Sequence, residues 1–347
     1  MAEKEVSPGT LAAGAILFEE ITKQFPKEPV PAVNHINLSV AAGNLVVLLG
    51  PSGCGKTTLL KMVNRLYEPT SGRIYLEGTD VEQLPVTELR RRIGYVIQQV
   101  GLFPHMNIEK NIAVVPELLG WDRAKTNQRI DFLLDMVGLP QSYRKRRPRQ
   151  LSGGEQQRVG LARALAADPD IMLMDEPFAA IDAITRVRLQ GELLDIQSKL
   201  RKTILFVTHD VEEALRLADR IAVLRAGRLL QYGTPLEILT RPENAFVGEL
   251  VGGGDVLRRL SLYKIQSVIA ARADREPKKA QAPDQALPAA TVHVGDDLRT
   301  ALARLLESGA GALTVVDQDS HPVGQVTFDD LRLALVNNEI AVQDSSR

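Results

Sequence analysis

Residues 45–58 read L-V-V-L-L-G-P-S-G-C-G-K-T-T, and no other stretch restricts the fold as much. Leu45 to Leu49 is an apolar run of the length of a buried strand. Beyond the glycine-rich turn, Leu59, Leu60, Val63 and Leu66, with Met62 alongside, recur at three- and four-residue intervals, as on one face of a helix. A strand, a glycine loop and a helix in that order fold backbone N–H groups around a polyphosphate and set a helix N-terminus beneath it. Gly50, Gly53, Gly55, Lys56 and Thr57 complete the G-x-x-x-x-G-K-[ST] spacing. Lys56 is therefore expected at the β- and γ-phosphates and the Thr57 hydroxyl on Mg²⁺. Pro51, Ser52, Cys54 and Thr58 fill out the loop, with Cys54 read as a small filler and not as a nucleophile.

With 347 residues the chain has length for two domains. Its 42 basic and 43 acidic residues nearly cancel, which gives no reason to expect a nucleic-acid partner. A single cysteine excludes an internal disulfide and suits a reducing compartment. No apolar run approaches the eighteen or so residues of a membrane span, and the start M-A-E-K-E has no signal-peptide core. The expectation is a soluble, cytoplasmic protein that would act at a membrane only through a partner.

Ahead of the phosphate loop, Ile16–Phe18 and Ile36–Val40 read as antiparallel strands around the loop Phe25-Pro26-Lys27-Glu28-Pro29. Phe25 either packs in the core or stacks on a base. Beyond the first helix, Gly72–Leu76 and Arg92–Ile97 read as strands with a helix from Val86 to about Arg91 between them, and Gln98 opens a loop through His105. A helical region from about Ile108 to Leu139 interrupts the α/β alternation. Asp122 is its internal N-cap, Ile130, Leu133, Leu134 and Val137 its apolar face, and Gly138 its stop. The cluster Arg144 to Arg149 reads as a solvated face. Ser152, Gly153 and Gly154 then precede another helix, a second anion-binding end in the same chain. Ile171–Met174 is a buried strand ending in Asp175 and Glu176, where doubly wound sheets hold their ligands. There Asp175 can hold Mg²⁺ through water and Glu176 can orient an attacking water. A helix from about Ala183 to Leu200 and a strand from Thr203 to Val207 lead to His209 on the same edge of the sheet.

These segments resemble the ATP-binding-cassette ATPase family over roughly residues 15–250: the phosphate loop, the Q-loop at Gln98, the signature Leu151–Gln156, the Walker B strand with Asp175 and Glu176, the D-loop near Ala180–Asp182 and the switch histidine His209. The resemblance implies an α/β P-loop NTPase cassette with a RecA-like core, an antiparallel β subdomain and an α-helical subdomain at about 100–165. It also implies a head-to-tail dimer with two sandwiched ATP molecules. Each would touch Lys56, Thr57 and Gln98 of one chain and Ser152 and Gly154 of the other, with Gly153, Gln156 and Asp182 at the same nucleotide. Thr57, Gln98 and Asp175 are the implied Mg²⁺ residues, Glu176 the general base or water-positioner, Lys56 and His209 the γ-phosphate contacts, and Phe25 the adenine-stacking aromatic. Two departures stand out: the D-loop reads F-A-A-I-D, and Glu155 precedes Gln156 in the signature. Leu84–Met106 and Asn111–Pro116 are further similar to ATP-binding subunits of importers for glycine betaine, choline or carnitine. This resemblance implies integral membrane permease subunits and a solute-binding protein as partners, with the chain itself peripheral at the cytoplasmic face of the membrane through the permease. The alternatives are a soluble ABC ATPase without a transport role and an importer subunit for another solute.

Past about Gly254 the composition changes. Residues 255–290 are read as a degenerate CBS remnant and linker, and 291–347 as one CBS-like unit. Its expected elements are strand Thr291–Val294, helix Asp297–Ser308, strand Ala312–Val316, strand Gly324–Thr327 and helix Asp330–Val336. CBS units work in pairs, so the resemblance implies pairing across a dimer. Thr327 and Asp330 would face a regulatory nucleotide, or the unit would serve dimerisation alone.

Overall fold

The computed structural model describes residues 15–97, 101–179, 181–252, 256–269 and 290–336. Gln98 and Ala180 lie outside them. The chain forms two compact units that divide at Pro235/Leu236, ahead of the compositional change near Gly254.

In the first unit the strands are β1 (Ile16–Lys23), β2 (Val33–Val40), β3 (Leu45–Leu49), β4 (Ser71–Leu76), β5 (Thr79–Asp80), β6 (Ile93–Val96), β7 (Ile171–Asp175), β8 (Thr203–Thr208), β9 (Arg220–Arg225) and β10 (Arg228–Gly233). The helices are α1 (Lys56–Val63), α2 (Val86–Arg92), α3 (Ile108–Leu118), α4 (Arg123–Met136), α5 (Gly153–Leu165), α6 (Ala183–Leu200) and α7 (Val211–Leu217). Six strands form one sheet in the order β10-β9-β3-β8-β7-β6, parallel except for β10 at its edge. β3, β7 and β8 are buried at every position, which is why they read as unbroken apolar runs and not as alternating ones. Leu49 pairs with Thr208 and Asp175 with Val207, so β3, β7 and β8 end level and deliver their following loops to one edge.

A second sheet, β2-β1-β4-β5, is antiparallel. Phe18, Ile21, Ile36 and Leu38 from it share one core with Leu59, Leu60, Met62 and Val63 of α1 and Val46 and Leu48 of β3. Each such side chain contributes about 1.5–3 kcal/mol on burial, so this core holds the phosphate loop between two sheets. The expected apolar face of α1 is correct except at Leu66. The helix stops at Val63 and is capped at Asn64, and Arg65 adopts φ +46°, which swings Leu66 out to 44% exposure.

The expected helical region is two helices, α3 and α4, and α5 packs against both. Asp122 caps α4 by accepting from the Lys125 N–H at 2.8 Å, and Gly138 follows its end at φ +64°. The basic cluster is not uniformly solvated. Arg144 is 19% exposed and binds Glu109, Asn127 and Asp131, pinning α3 to α4.

The second unit contains α8 (Pro235–Thr240), whose first residue lies at the division, α9 (Ala245–Val251), α10 (Val256–Leu262), β11 (Thr291–His293), α11 (Leu298–Ser308), β12 (Ala312–Val316), β13 (Pro322–Thr327) and α12 (Phe328–Val336). Its sheet runs β11-β12-β13, the first pair parallel and the second antiparallel. Val292, Leu298, Leu305, Leu313, Val315 and Val326 form its core. Within residues 255–290, the described part from 256 to 269 folds into this same core through Leu260, Tyr263, Ile265 and Val268. The Ile265 N–H donates to the Asp296 carbonyl at 3.0 Å and the Leu298 N–H to the Tyr263 carbonyl at 2.9 Å, so the segment is stitched to the unit that follows it.

Candidate nucleotide-binding site

In the loop after β3, Gly50 and Gly55 stand where nothing larger fits. A Cβ on Gly50 would lie 2.2 Å from the Leu224 carbonyl oxygen, and one on Gly55, at φ +105°, 2.2 Å from that of Ala32. Lys56, 5% exposed, donates to the carbonyls of Gly50 and Pro51 at 2.7 and 2.9 Å, which holds its ammonium within the loop. Burial pushes the Cys54 thiol up against the opposing influence of Lys56, in keeping with a filler.

Thr57 stands next on α1, and its hydroxyl donates to Asp175 Oδ1 at 2.8 Å. Burial raises the Asp175 carboxyl above the ordinary carboxylate range, and Glu176 adds to this, while the Thr57 hydroxyl, Lys61 and Lys56 oppose it. A hydroxyl and a partly desolvated carboxylate in contact form a hard-oxygen donor pair that suits Mg²⁺.

Glu176 follows β7 directly, and its own N–H is tied to the Val207 carbonyl at 3.0 Å. It adopts φ +44°, a left-handed backbone uncommon for a residue with a side chain. Its Oε1 lies 3.1 Å from His209 Nδ1, so adjacent strand ends deliver a carboxylate–imidazole pair. Both residues line a cavity of about 40 Å³.

The signature residues stand at the N-terminus of α5. The Glu155 carboxylate accepts from the Ser152 N–H at 2.7 Å and its hydroxyl at 2.9 Å, and the Glu155 N–H returns to Ser152 Oγ at 3.4 Å. Glu155 is thus the reciprocal partner of a capping box. The Ser152 N–H and hydroxyl, with the Tyr143 hydroxyl, hold its carboxyl below the usual range. Gly153 has open space where a Cβ would be, Gly154 would meet Thr185 Cγ2 at 3.0 Å, and the Gln156 amide donates to the Leu151 carbonyl. Asp182 caps α6 by accepting from the Thr185 N–H at 3.0 Å. Among the described residues no hydrogen bond joins Ser152–Gln156 to the phosphate loop; the structure assembles Gly50–Thr58, Asp175, Glu176 and His209 as one group and leaves the signature as another.

Phe25 is partly exposed, meets Tyr67 with ring centroids 5.3 Å apart at 86°, and has the Lys23 ammonium 5.2 Å from its ring centre. Tyr67 gave no signal in the sequence, because it follows the end of α1 and is brought to Phe25 by the fold alone.

A family model described as ABC transporter matches residues 33–179, and one described as CBS domain matches 286–337. The osmoprotectant import ATP-binding protein OsmV of Salmonella typhimurium is 47% identical over 324 residues, 92% of this chain and 81% of that protein. The chain belongs to the ABC transporter ATP-binding family. This cassette is also similar to the glycine betaine uptake system ATP-binding protein YehX of Escherichia coli, at 45% identity over 91% of this chain and 98% of the relative. Among solved structures, a dimeric ATP-binding cassette in a post-hydrolysis state bound to ADP and phosphate matches with TM-score 0.57 and 32% identity, over 63% of this chain and 98% of that one. Among the described residues of this cassette, no helix is long and apolar enough to cross a membrane.

Proposed function

We propose that the chain is the ATP-hydrolysing, energy-coupling subunit of an importer for quaternary-amine osmoprotectants of the glycine betaine, choline and carnitine class. The observation that carries the hydrolytic part is the Glu176–His209 contact of 3.1 Å beside the Thr57–Asp175 pair at 2.8 Å, all at the level ends of β3, β7 and β8. Similarity to osmoprotectant and glycine betaine ATP-binding proteins over nine-tenths of the chain supports the solute class.

In this reading the phosphate-loop N–H groups and Lys56 hold the β- and γ-phosphates, and Phe25 stacks on the adenine. Thr57 and Asp175, with Gln98, would hold Mg²⁺, whose charge offsets that developing on the phosphate oxygens. Glu176 takes a proton from the attacking water as the water oxygen bonds to the γ-phosphorus and the bond from that phosphorus to the ADP oxygen breaks. His209 steadies Glu176 and the γ-phosphate. Ser152, Gly153, Gly154, Gln156 and Asp182 of a second copy complete each site, so hydrolysis requires the dimer. Closure of that dimer would move membrane-spanning permease subunits fed by a solute-binding protein, with this chain peripheral at the cytoplasmic face. The CBS unit, through Thr327 and Asp330, would make transport answer to an adenine nucleotide or to ionic strength. Unchanged salt and nucleotide dependence after truncation at residue 254 would remove that role.

The deciding experiment is glycine betaine uptake at high osmolarity in cells lacking the chain, complemented with the natural sequence or with Glu176→Gln. Recovery with the first and not the second is the expected result. Undiminished uptake on deletion, in a strain without redundant betaine systems, would rule out the solute class.

A further inference from the structure

Helices α6 and α7 lie against each other, and two polar rungs cross between them. In the first, Arg186 Nη1 is 3.3 Å from Asp210 Oδ2; one turn further on, Gln190 Nε2 donates to Glu213 Oε1 at 3.1 Å. The other terminal nitrogen of Arg186 reaches back to donate to the Ile181 carbonyl at 3.0 Å, at the end of the loop that begins at Glu176. Asp210 is held from its other side as well. Its Oδ1 accepts from the Glu212 and Glu213 N–H groups at the start of α7, and its own N–H donates to Thr208 Oγ1 at 3.0 Å.

These bonds close a ring. From Glu176 the chain runs to Ile181, Arg186 bridges to Asp210, Asp210 is joined covalently to His209, and His209 returns to Glu176 at 3.1 Å. Glu176, Phe178, Ala179, Arg186, His209 and Asp210 all line one cavity of about 40 Å³. A glutamate at φ +44° keeps that backbone only where its surroundings hold it there. Arg186 and Asp210 are 30% and 33% exposed, so their ion pair adds little to stability. What the pair supplies is geometry: a planar guanidinium fork spans two acceptors in fixed directions, which an ammonium does not.

We propose that Arg186 is a positioning residue for hydrolysis, bridging the Ile181 carbonyl and the Asp210 carboxylate so that Glu176 and His209 keep their spacing. This rests on the hydrolytic reading of the site and adds to it a residue that acts through Glu176 and His209.

The test is ATP turnover by the full-length chain carrying Arg186→Met, Asp210→Asn, both, or Arg186→Lys. Asp210→Asn is informative because the amide oxygen can still cap α7 while its NH₂ faces Arg186, which breaks the rung alone. Each single variant should lower kcat roughly 10- to 100-fold, with KM for ATP within about threefold of the unaltered chain and the melting temperature nearly unchanged. The double variant should be no slower than the slower single one, because both remove the same bridge. Arg186→Lys, which can restore one contact of the two, should recover part of the rate. Retention of kcat within about twofold in either single variant, losses that multiply in the double, or a loss confined to KM would each overturn the proposal. Glu176→Gln is the separate control. If it turns over ATP like the unaltered chain, the hydrolytic reading itself fails and takes this proposal with it. If it is inactive while Arg186→Met is not, only the positioning role is lost.

Discussion

Gly53 and Gly55 both have positive φ, yet they answer to different demands. A Cβ on Gly53 meets nothing within 4 Å, whereas one on Gly55 drives into the Ala32 carbonyl. Gly53→Ala should therefore cost only the conformational penalty of about 1–2 kcal/mol, and Gly55→Ala at least about 3 kcal/mol, as read from urea unfolding midpoints. Glu213 makes a second residue-level prediction. Burial is the main cause that raises its carboxyl above the ordinary range, while hydrogen bonds from Thr208 and Gln190 oppose the shift. A carboxyl whose pKa is higher in the folded than in the unfolded chain is bound to more protons when folded across that window. Stability thus falls as pH rises from the ordinary glutamate range through the raised value, and the loss is complete above it. Glu213→Gln should flatten that slope in melting temperature against pH, with its advantage present near neutrality and gone in acid. The turn at Gly55 and the start of α1 at Lys56 were legible in the sequence because the G-x-x-x-x-G-K-[ST] spacing stands between an apolar strand run and an apolar helix face. Arg186 was not, since its partner Asp210 is 24 residues away and only the packing of α6 on α7 makes them neighbours.

At the scale of elements, the start of α5 was written locally and the end of α1 was not. Ser152 and Glu155 form their reciprocal cap within one turn, so the S-x-x-E spacing carries the information. Glu155→Ala should cost about 1 kcal/mol of stability in thermal melts, and Glu155→Gln, which can still accept from the Ser152 N–H, distinctly less. Leu66 matched the helical period of α1 but lies beyond its cap, because periodicity does not register where a chain turns away. The buried strands β3, β7 and β8 announced themselves by apolar runs. Their level ends, which create the site, come from parallel register, and no single strand's sequence encodes that.

For the molecule as a whole, the separation of the phosphate-loop group from the signature group predicts that nucleotide is what brings two chains together. Glu176→Gln, which should bind ATP without consuming it, is expected to sediment as a dimer with ATP and Mg²⁺ and as a smaller species without them; sedimentation velocity decides this. A single species unaffected by ATP would mean that the two anion-binding ends do not serve one shared ligand. The presence of a C-terminal unit was legible from its strand–helix alternation. That residues 256–269 join its core was not, because their four core residues are spread through a short segment that precedes the first strand and make sense only against Val292 and Leu298.

The backbone at Glu176 also has a consequence for how such a chain ages through copying. Glycine or asparagine would rest more comfortably at φ +44°, so the carboxylate proposed to act on the attacking water sits where folding alone would not choose it. In a gene copy released from transport, drift at this codon would be permitted by stability and even rewarded by it. A descendant with a whole phosphate loop and a smaller residue at 176 would then be recognisable as a well-folded cassette that has given up turnover and kept the capacity to bind.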